Sequence, residues 1–228
     1  MAAGIIQGFL DKYRTNKKIA DIIIPHHDRH DLLKKCLDGI DNSIFNIIII
    51  SGGTFAENCN KGARVAETDV LIFLNDDVEA KTEPLIALAN TKEDYCGATQ
   101  YIERETSGSV KYFGLGWRET NGKSCKGWFL ADNVEDFFIP AGYCMKFKKE
   151  AWNRLNGLNE KYRNGFEDVD IGLRALDMGL SIGFIDTPMK HENKQSNGRF
   201  KREKDNQSLF DKNWTMDKII QLRKLCHE

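Results

Sequence analysis

Three places in this chain of 228 residues put acidic or imidazole side chains where they could do chemistry. The stretch "VLIFLNDDVEA" runs an apolar strand-like segment into two adjacent acids, Asp76 and Asp77. Like charges at the end of a buried strand repel and lose hydration, so something must compensate them. A divalent cation shared with phosphate oxygens would do so. Magnesium and manganese favour oxygen ligands and often take only one or two protein carboxylates. The alternative is helix capping, with the acids serving the N-terminus of the helix expected at "EPLIALAN". The pair alone leaves both readings open.

The second place is "GFEDVD", where Glu167, Asp168 and Asp170 open an amphipathic helix. Acids in a first helical turn interact well with the helix dipole. A carboxylate there could equally act as a general base toward a substrate hydroxyl. The third place is His191, just after the strand-like "SIGFIDT". It is either a crevice ligand or a packing residue. His26 and His27, after "ADIIIP", are weaker metal candidates. The basic run holding Arg199, Lys201 and Arg202 is either solvated surface or a segment that closes on phosphates.

The elements that must position these groups follow from hydrophobic period and turn residues. "ADIIIP", "FNIIIIS", "VLIFLND" and "DYCGATQYI" are predicted strands. Helices are predicted at residues 5 to 15, in "RHDLLKKCLDGI", in "TFAENCNKGARVAE" and in "EPLIALAN", with Pro84 in the first turn of the last. Alternating strands and helices predict a mostly parallel sheet covered on both faces, hence strands that are apolar throughout. Ligands of such sheets bind beyond the carboxyl ends of the strands, where "PHHDR", "SGGT" and "NDDVEA" should converge. The second half reads as short β pieces, the EDVD helix and one more strand. It ends in a polar loop or frayed helix across "ENKQSNGRFKREKDNQ" and a short amphipathic tail helix, "MDKIIQLRKLCHE", which could pack on the domain, pair subunits or touch a membrane, the first being the default.

Composition excludes several classes. A net charge of -1 gives no global pull toward nucleic acid or anionic membrane. No apolar run reaches the roughly 18 residues of a membrane span, and no signal-like leader is visible. The six cysteines are spaced neither as CxxC pairs nor as a zinc site, which points to reduced thiols and a cytoplasmic setting.

The segments "IIIPHHDRHDLLKKCLDGI", "FAENCNKGARVAETDVLIFLNDDVEA", "PAGYCMKFKKEAWNRLNGLNEKYRNGFEDVDIGLRALDMGL" and "KHEN" occur in that order. Together they resemble the family 2 glycosyltransferases, inverting enzymes of the GT-A fold, and most closely a rhamnosyltransferase-like branch. The resemblance implies a single GT-A domain over 1–228. It would comprise a nucleotide half at about 19–100, an acceptor and catalytic half at about 101–192 and a C-terminal loop and helix at 193–228. It makes Asp77 a ligand of Mn2+ or Mg2+ and His191 a further ligand. Asp76 would touch the donor ribose or the metal shell, and Asp168 would be the catalytic base. Pro25, His26, His27, Asp28 and Arg29 match the loop around the nucleotide, and Asn60 and Lys61 a segment beside it. Acceptor contacts are expected at Trp117, Trp128, Gly142 and Glu167, and diphosphate contacts at Arg199 and Lys201.

The acidic turn the family usually places after the second strand is here "SGGT". Base recognition would then fall to Ser51, Gly52 and Gly53 or to the His26–Asp28 loop, leaving uridine, thymidine and guanosine donors open. The expected activity is transfer of a hexosyl or deoxyhexosyl group from a UDP-, dTDP- or GDP-sugar to a glycan or lipid-linked acceptor. At most peripheral membrane contact and no nucleic-acid partner are expected. A sugar-nucleotide nucleotidyltransferase would need a glycine-rich loop that "PHHDRHD" lacks. A noncatalytic binding module on the same fold is the remaining alternative.

Overall fold

The structure is a computed structural model that describes residues 17–104, 108–118, 127–192 and 203–225. Its elements run β1 (Ala20–Pro25), α1 (His30–Asp38), β2 (Phe45–Ile50), α2 (Phe55–Val65), β3 (Val70–Leu74), β4 (Val78–Glu79) and α3 (Thr82–Ala89). Then follow β5 (Tyr95–Arg104), β6 (Gly108–Tyr112), β7 (Gly114–Arg118), β8 (Gly127–Ala131), β9 (Cys144–Lys148) and α4 (Lys149–Leu155). The last are α5 (Glu167–Asp177), β10 (Ile182–His191), α6 (Glu203–Asn213) and α7 (Met216–Leu225). The helix expected at residues 5 to 15 lies outside the described residues.

The strand order of the main sheet is β2-β1-β3-β9-β5-β10-β4, with β6 paired to β5. Strands β2, β1, β3, β5 and β10 share one direction, and β9, β4 and β6 run against it. This is the α/β architecture expected from the sequence. Its one unforeseen step is β9, which arrives from the second half and separates β3 from β5. Strands β7 and β8 form a separate hairpin.

Alternation explains why the central strands are apolar throughout. Ile22 and Ile24 of β1, and Ile72 and Leu74 of β3, face one core layer with α1 and α3. Ile23, Leu71 and Phe73 face the other layer, with α2, α4 and α5. Strands buried on both faces need no polar side. Helix α2 begins at a reciprocal cap: Thr54 Oγ1 accepts from Glu57 N, and Glu57 Oε2 accepts from Thr54 N. It then lies close to β1, because a Cβ on Gly62 would sit 2.4 Å from Ile23 Cγ2.

A third apolar cluster holds Trp117, Phe138, Tyr162, Phe210, Trp214, Ile219 and Leu222. It fastens α6 and α7 to α5 and to the β7–β8 hairpin. The polar stretch expected as a loop or frayed helix is thus ordered helix from Glu203 onward. Asn206 and Phe210, one turn apart, are buried there, and tertiary packing overrides the polar composition. The C-terminal helix packs on the domain as expected.

Asp170 ties these parts together. It is buried, pairs with Arg174 Nε at 2.7 Å, and accepts from Trp214 Nε1 at 2.9 Å. Arg174 in turn donates to Leu155 O and Gly157 O. Replacing Asp170 by Ala removes the counter-ion of Arg174, with the acceptor of its Nε, and the acceptor of the Trp214 indole N–H. The expected loss is about 3–5 kcal/mol, read by urea unfolding at pH 7. A loss below about 1 kcal/mol would show that the contact is held by packing alone.

Candidate functional site

The carboxyl ends of β1, β3 and β5 and the end of β10 open on one crevice of about 610 Å³. His26, Asp76, Asp77, Gly142, Asp168 and His191 all line it. Groups up to 165 residues apart in sequence therefore meet in one place.

Asp76 and Asp77 are 6% and 4% exposed, so their charge is buried. They do not cap α3, whose N-cap is Lys81 with no side-chain cap; strand β4 intervenes. The helix-capping alternative is thereby removed. Their compensation comes from three cationic or imidazole groups. His26 Nδ1 lies 2.8 Å from Asp76 Oδ2 and Arg29 Nη2 lies 3.3 Å from Asp76 Oδ1. The same Arg29 nitrogen is 3.4 Å from Asp77 Oδ2, and His191 Nε2 is 3.1 Å from Asp77 Oδ1. His30 extends this set, with Nδ1 3.1 Å from His26 Nε2. The two carboxylates also act on Cys36 behind them. Burial first, then Asp76 and Asp77, push its thiol pKa up to about 12.

His191 reaches Asp77 because of a bulge. The β10–β5 register shifts between Ile185 and Met189, where Pro188 donates no ladder hydrogen bond. Beyond the bulge, β10 turns to pair with β4, and Glu192 N donates to Asp77 O at 3.0 Å. The imidazole is then gripped on its other side. Nδ1 is 2.8 Å from Gln100 Oε1, and the ring stacks on Tyr143 with centroids 5.2 Å apart.

The three acids of the EDVD segment have three separate jobs. Asp170 faces the core. Glu167 Oε2 accepts from Gly165 N at 2.5 Å and shapes the preceding turn. Asp168 lines the crevice, with Oδ2 accepting from Gly142 N at 3.1 Å and Oδ1 from Val169 N at 2.9 Å. Its approach depends on Gly142, where a Cβ would lie 2.9 Å from Asp168 Oδ2. The turn is strained: Asn164 and Phe166 both have left-handed φ, 56° and 72°. A bulky residue such as Phe166 adopts that conformation only when its surroundings impose it. Asn206 of α6 supplies part of that imposition by bonding both N and O of Arg163.

Not every expected site residue reaches the crevice. Pro25, His26, His27 and Arg29 line it, but Asp28 does not; it is exposed and pairs with His27 at 3.0 Å. Ser51 and Gly52 fall outside the lining while Gly53 is inside, because Gly52 takes a left-handed φ of 84° that turns the chain. Asn60 is spent on the loop after α4: Nδ2 donates to Leu158 O, and Oδ1 accepts from Leu158 N. Lys61, beside it, is exposed and outside the lining. Trp128, Gly142 and Glu167 line the crevice, whereas Trp117 is core, 2% exposed beneath the C-terminal helices. Arg199 and Lys201 lie outside the described residues.

Sequence reasoning missed Gln100, Tyr143 and Asn58. Only the strand register could have flagged Gln100, a lone amide in a buried strand. Asn58 is 2% exposed, gives its N–H to Gly53 O, and keeps an Oδ1 with no protein partner. It is the one such acceptor lining the crevice among the described residues.

Among the described residues, no group of three or more His, Cys, Asp or Glu side chains is arranged to hold a metal ion by itself. Asp77 and His191 do fit as two neighbouring ligands. Donors about 2.1 Å from an octahedral cation, at right angles, lie about 3.0 Å apart. Asp77 Oδ1 and His191 Nε2 are 3.1 Å apart. The donor set thus suits a divalent cation.

The chain matches no protein-family model. It is 24% identical over 213 residues to the rhamnosyltransferase WbbL of Escherichia coli (strain K12), covering 72% of this chain and 79% of that protein. It is similar to the crystal structure of S. aureus TarS 1-349, with TM-score 0.53, 11% identity and 77% of this chain covered. The same TarS segment in complex with UDP-GlcNAc gives TM-score 0.56, 10% identity and 80% coverage. The chain spans 60% of those TarS structures. These likenesses show the fold, a large mostly parallel sheet flanked by helices. No helix among the described residues is long and apolar enough to cross a membrane.

One consequence is testable at Cys36. With its pKa raised to about 12, the group stays a thiol at pH 8.5. Alkylation with iodoacetamide at pH 8.5, read by peptide mass spectrometry, should spare Cys36 in the folded protein and modify it in urea. Rapid labelling of the folded protein would contradict the burial of this corner.

Proposed function

We propose that this chain is a family 2, GT-A-type inverting glycosyltransferase. It moves a sugar from a nucleotide-diphosphate donor to a hydroxyl of a glycan or lipid-linked acceptor, using Mn2+ or Mg2+. The observation that carries this reading is the crevice itself. It gathers Asp77 with His191, and Asp168 held by Gly142, in one lining. The similarity to a rhamnosyltransferase and the fold shared with a protein that binds UDP-GlcNAc support the same reading. A deoxyhexosyl donor, such as a dTDP- or GDP-linked sugar, is the finer proposal that the first likeness favours.

The chemistry follows from the residues. Inverting transfer is one displacement: the acceptor oxygen attacks the anomeric carbon while the bond to the diphosphate breaks. The Asp168 carboxylate takes the acceptor proton as that bond forms. The leaving diphosphate keeps the bonding pair, and its charge must be met by fixed positive groups. When bound at Asp77 and His191, the cation supplies Lewis-acid stabilisation of that charge. Arg29, one-third exposed and already at the acid pair, can add charge-assisted hydrogen bonds to phosphate.

Two substitutions divide the roles. Asp77→Asn should remove Mn2+-dependent binding of nucleoside diphosphates in calorimetric titrations over UDP, dTDP and GDP. Unchanged affinity would sink the metal assignment. Asp168→Asn should keep donor affinity within about threefold and lower transfer about 10²- to 10⁴-fold. Full transfer activity in that variant would reject it as the base. Gly142→Ala should mimic Asp168→Asn in turnover, because its methyl group displaces the carboxylate. Wild-type turnover in Gly142→Ala would show that the close approach is dispensable.

A further inference from the structure

We propose that Gln100 is a positioning residue for the cation site, setting which nitrogen of His191 faces Asp77. The inference rests on the metal-dependent reading above. Gln100 sits on β5 opposite Met189, two residues before His191, and is 2% exposed. Its Oε1 is 2.8 Å from His191 Nδ1. An amide oxygen only accepts, so Nδ1 carries a proton there, and Nε2 is the nitrogen turned to Asp77 Oδ1 at 3.1 Å. That is the nitrogen a cation beside Asp77 needs as a lone-pair donor. Metal-bound histidines commonly hold their second ring nitrogen in this way.

Tyr143 completes the grip. Its ring stacks on His191 at an interplanar angle of 24°, and its hydroxyl, kept neutral by burial, lies 2.8 Å from Ala98 O. Its backbone O accepts from Asn75 N, next to the acid pair. The imidazole therefore cannot rotate away from Asp77 without breaking the amide contact and leaving the tyrosine face.

The test compares Gln100→Leu, which removes the acceptor, with Gln100→Glu, which keeps one. Mn2+ affinity is measured by electron paramagnetic resonance in the presence of UDP, and folding by thermal unfolding. The wild type should bind Mn2+. Gln100→Leu should lose about 10- to 100-fold in affinity, while Gln100→Glu stays within about threefold of the wild type. In a His191→Ala background, Gln100→Leu should change affinity no further, whereas a general packing defect would lower it again. Equal losses in Gln100→Leu and Gln100→Glu would mean that the amide donates to the ring, and would overturn the proposal. So would an unchanged affinity in Gln100→Leu. Failure of the wild type to bind Mn2+ would remove the metal reading and this inference with it.

Discussion

Two neighbouring carboxylates buried at the end of one strand set the terms for the rest of this molecule. At an effective dielectric of about 20, unit charges 4 Å apart interact by about 4 kcal/mol. That is a large share of the stability of an ordinary domain. Asp76 and Asp77 are tolerated because His26, Arg29 and His191 stand around them within 3.4 Å. These partners come from the residue after β1, from the N-cap of α1 and from the end of β10. The acid pair thus ties together the ends of strands that the chain visits at very different times.

That charge balance differs in kind between its members. His26 and His191 are buried and packed, and His191 is further fixed by Gln100 and Tyr143. Arg29 keeps a side chain 31% exposed and contacts both carboxylates through one nitrogen. It is the most exposed of the three partners. In the same crevice, Asp168 follows a strained turn whose left-handed residues are braced by Asn206. On the proposed reading, side chains fixed by such contacts are what preorganised electrostatic catalysis requires.

Much of this was legible in the sequence, for physical reasons. Strands covered on both faces must be apolar throughout, so β1, β2 and β3 announced themselves and implied the crevice at their carboxyl ends. The acids at 76, 77 and 168 and His191 were visible as candidates, but capping, the helix dipole and packing could each account for them taken singly. What stayed hidden depends on pairing between distant segments. The insertion of β9 between β3 and β5 carries no local signal. Gln100 and Tyr143 gain meaning only from the β5–β10 register and the bulge before His191. Trp117 and Trp128 are direct cross-strand partners with the same residue type, yet one is core and the other lines the crevice. Asn60 is outside the crevice lining because α2 turns it toward the loop after α4, and Lys61 beside it is exposed.

The proposed function has one cation, held by Asp77 and His191, meet a nucleotide diphosphate in the crevice that Asp168 also lines. Anomalous X-ray diffraction from crystals containing Mn2+ and UDP tests it most directly. The predicted result is a single strong anomalous peak within about 2.3 Å of Asp77 oxygen and His191 Nε2, shared with diphosphate oxygens, with Arg29 moved off Asp77. Diphosphate bound with no manganese peak, and Arg29 still bridging both carboxylates, would contradict it.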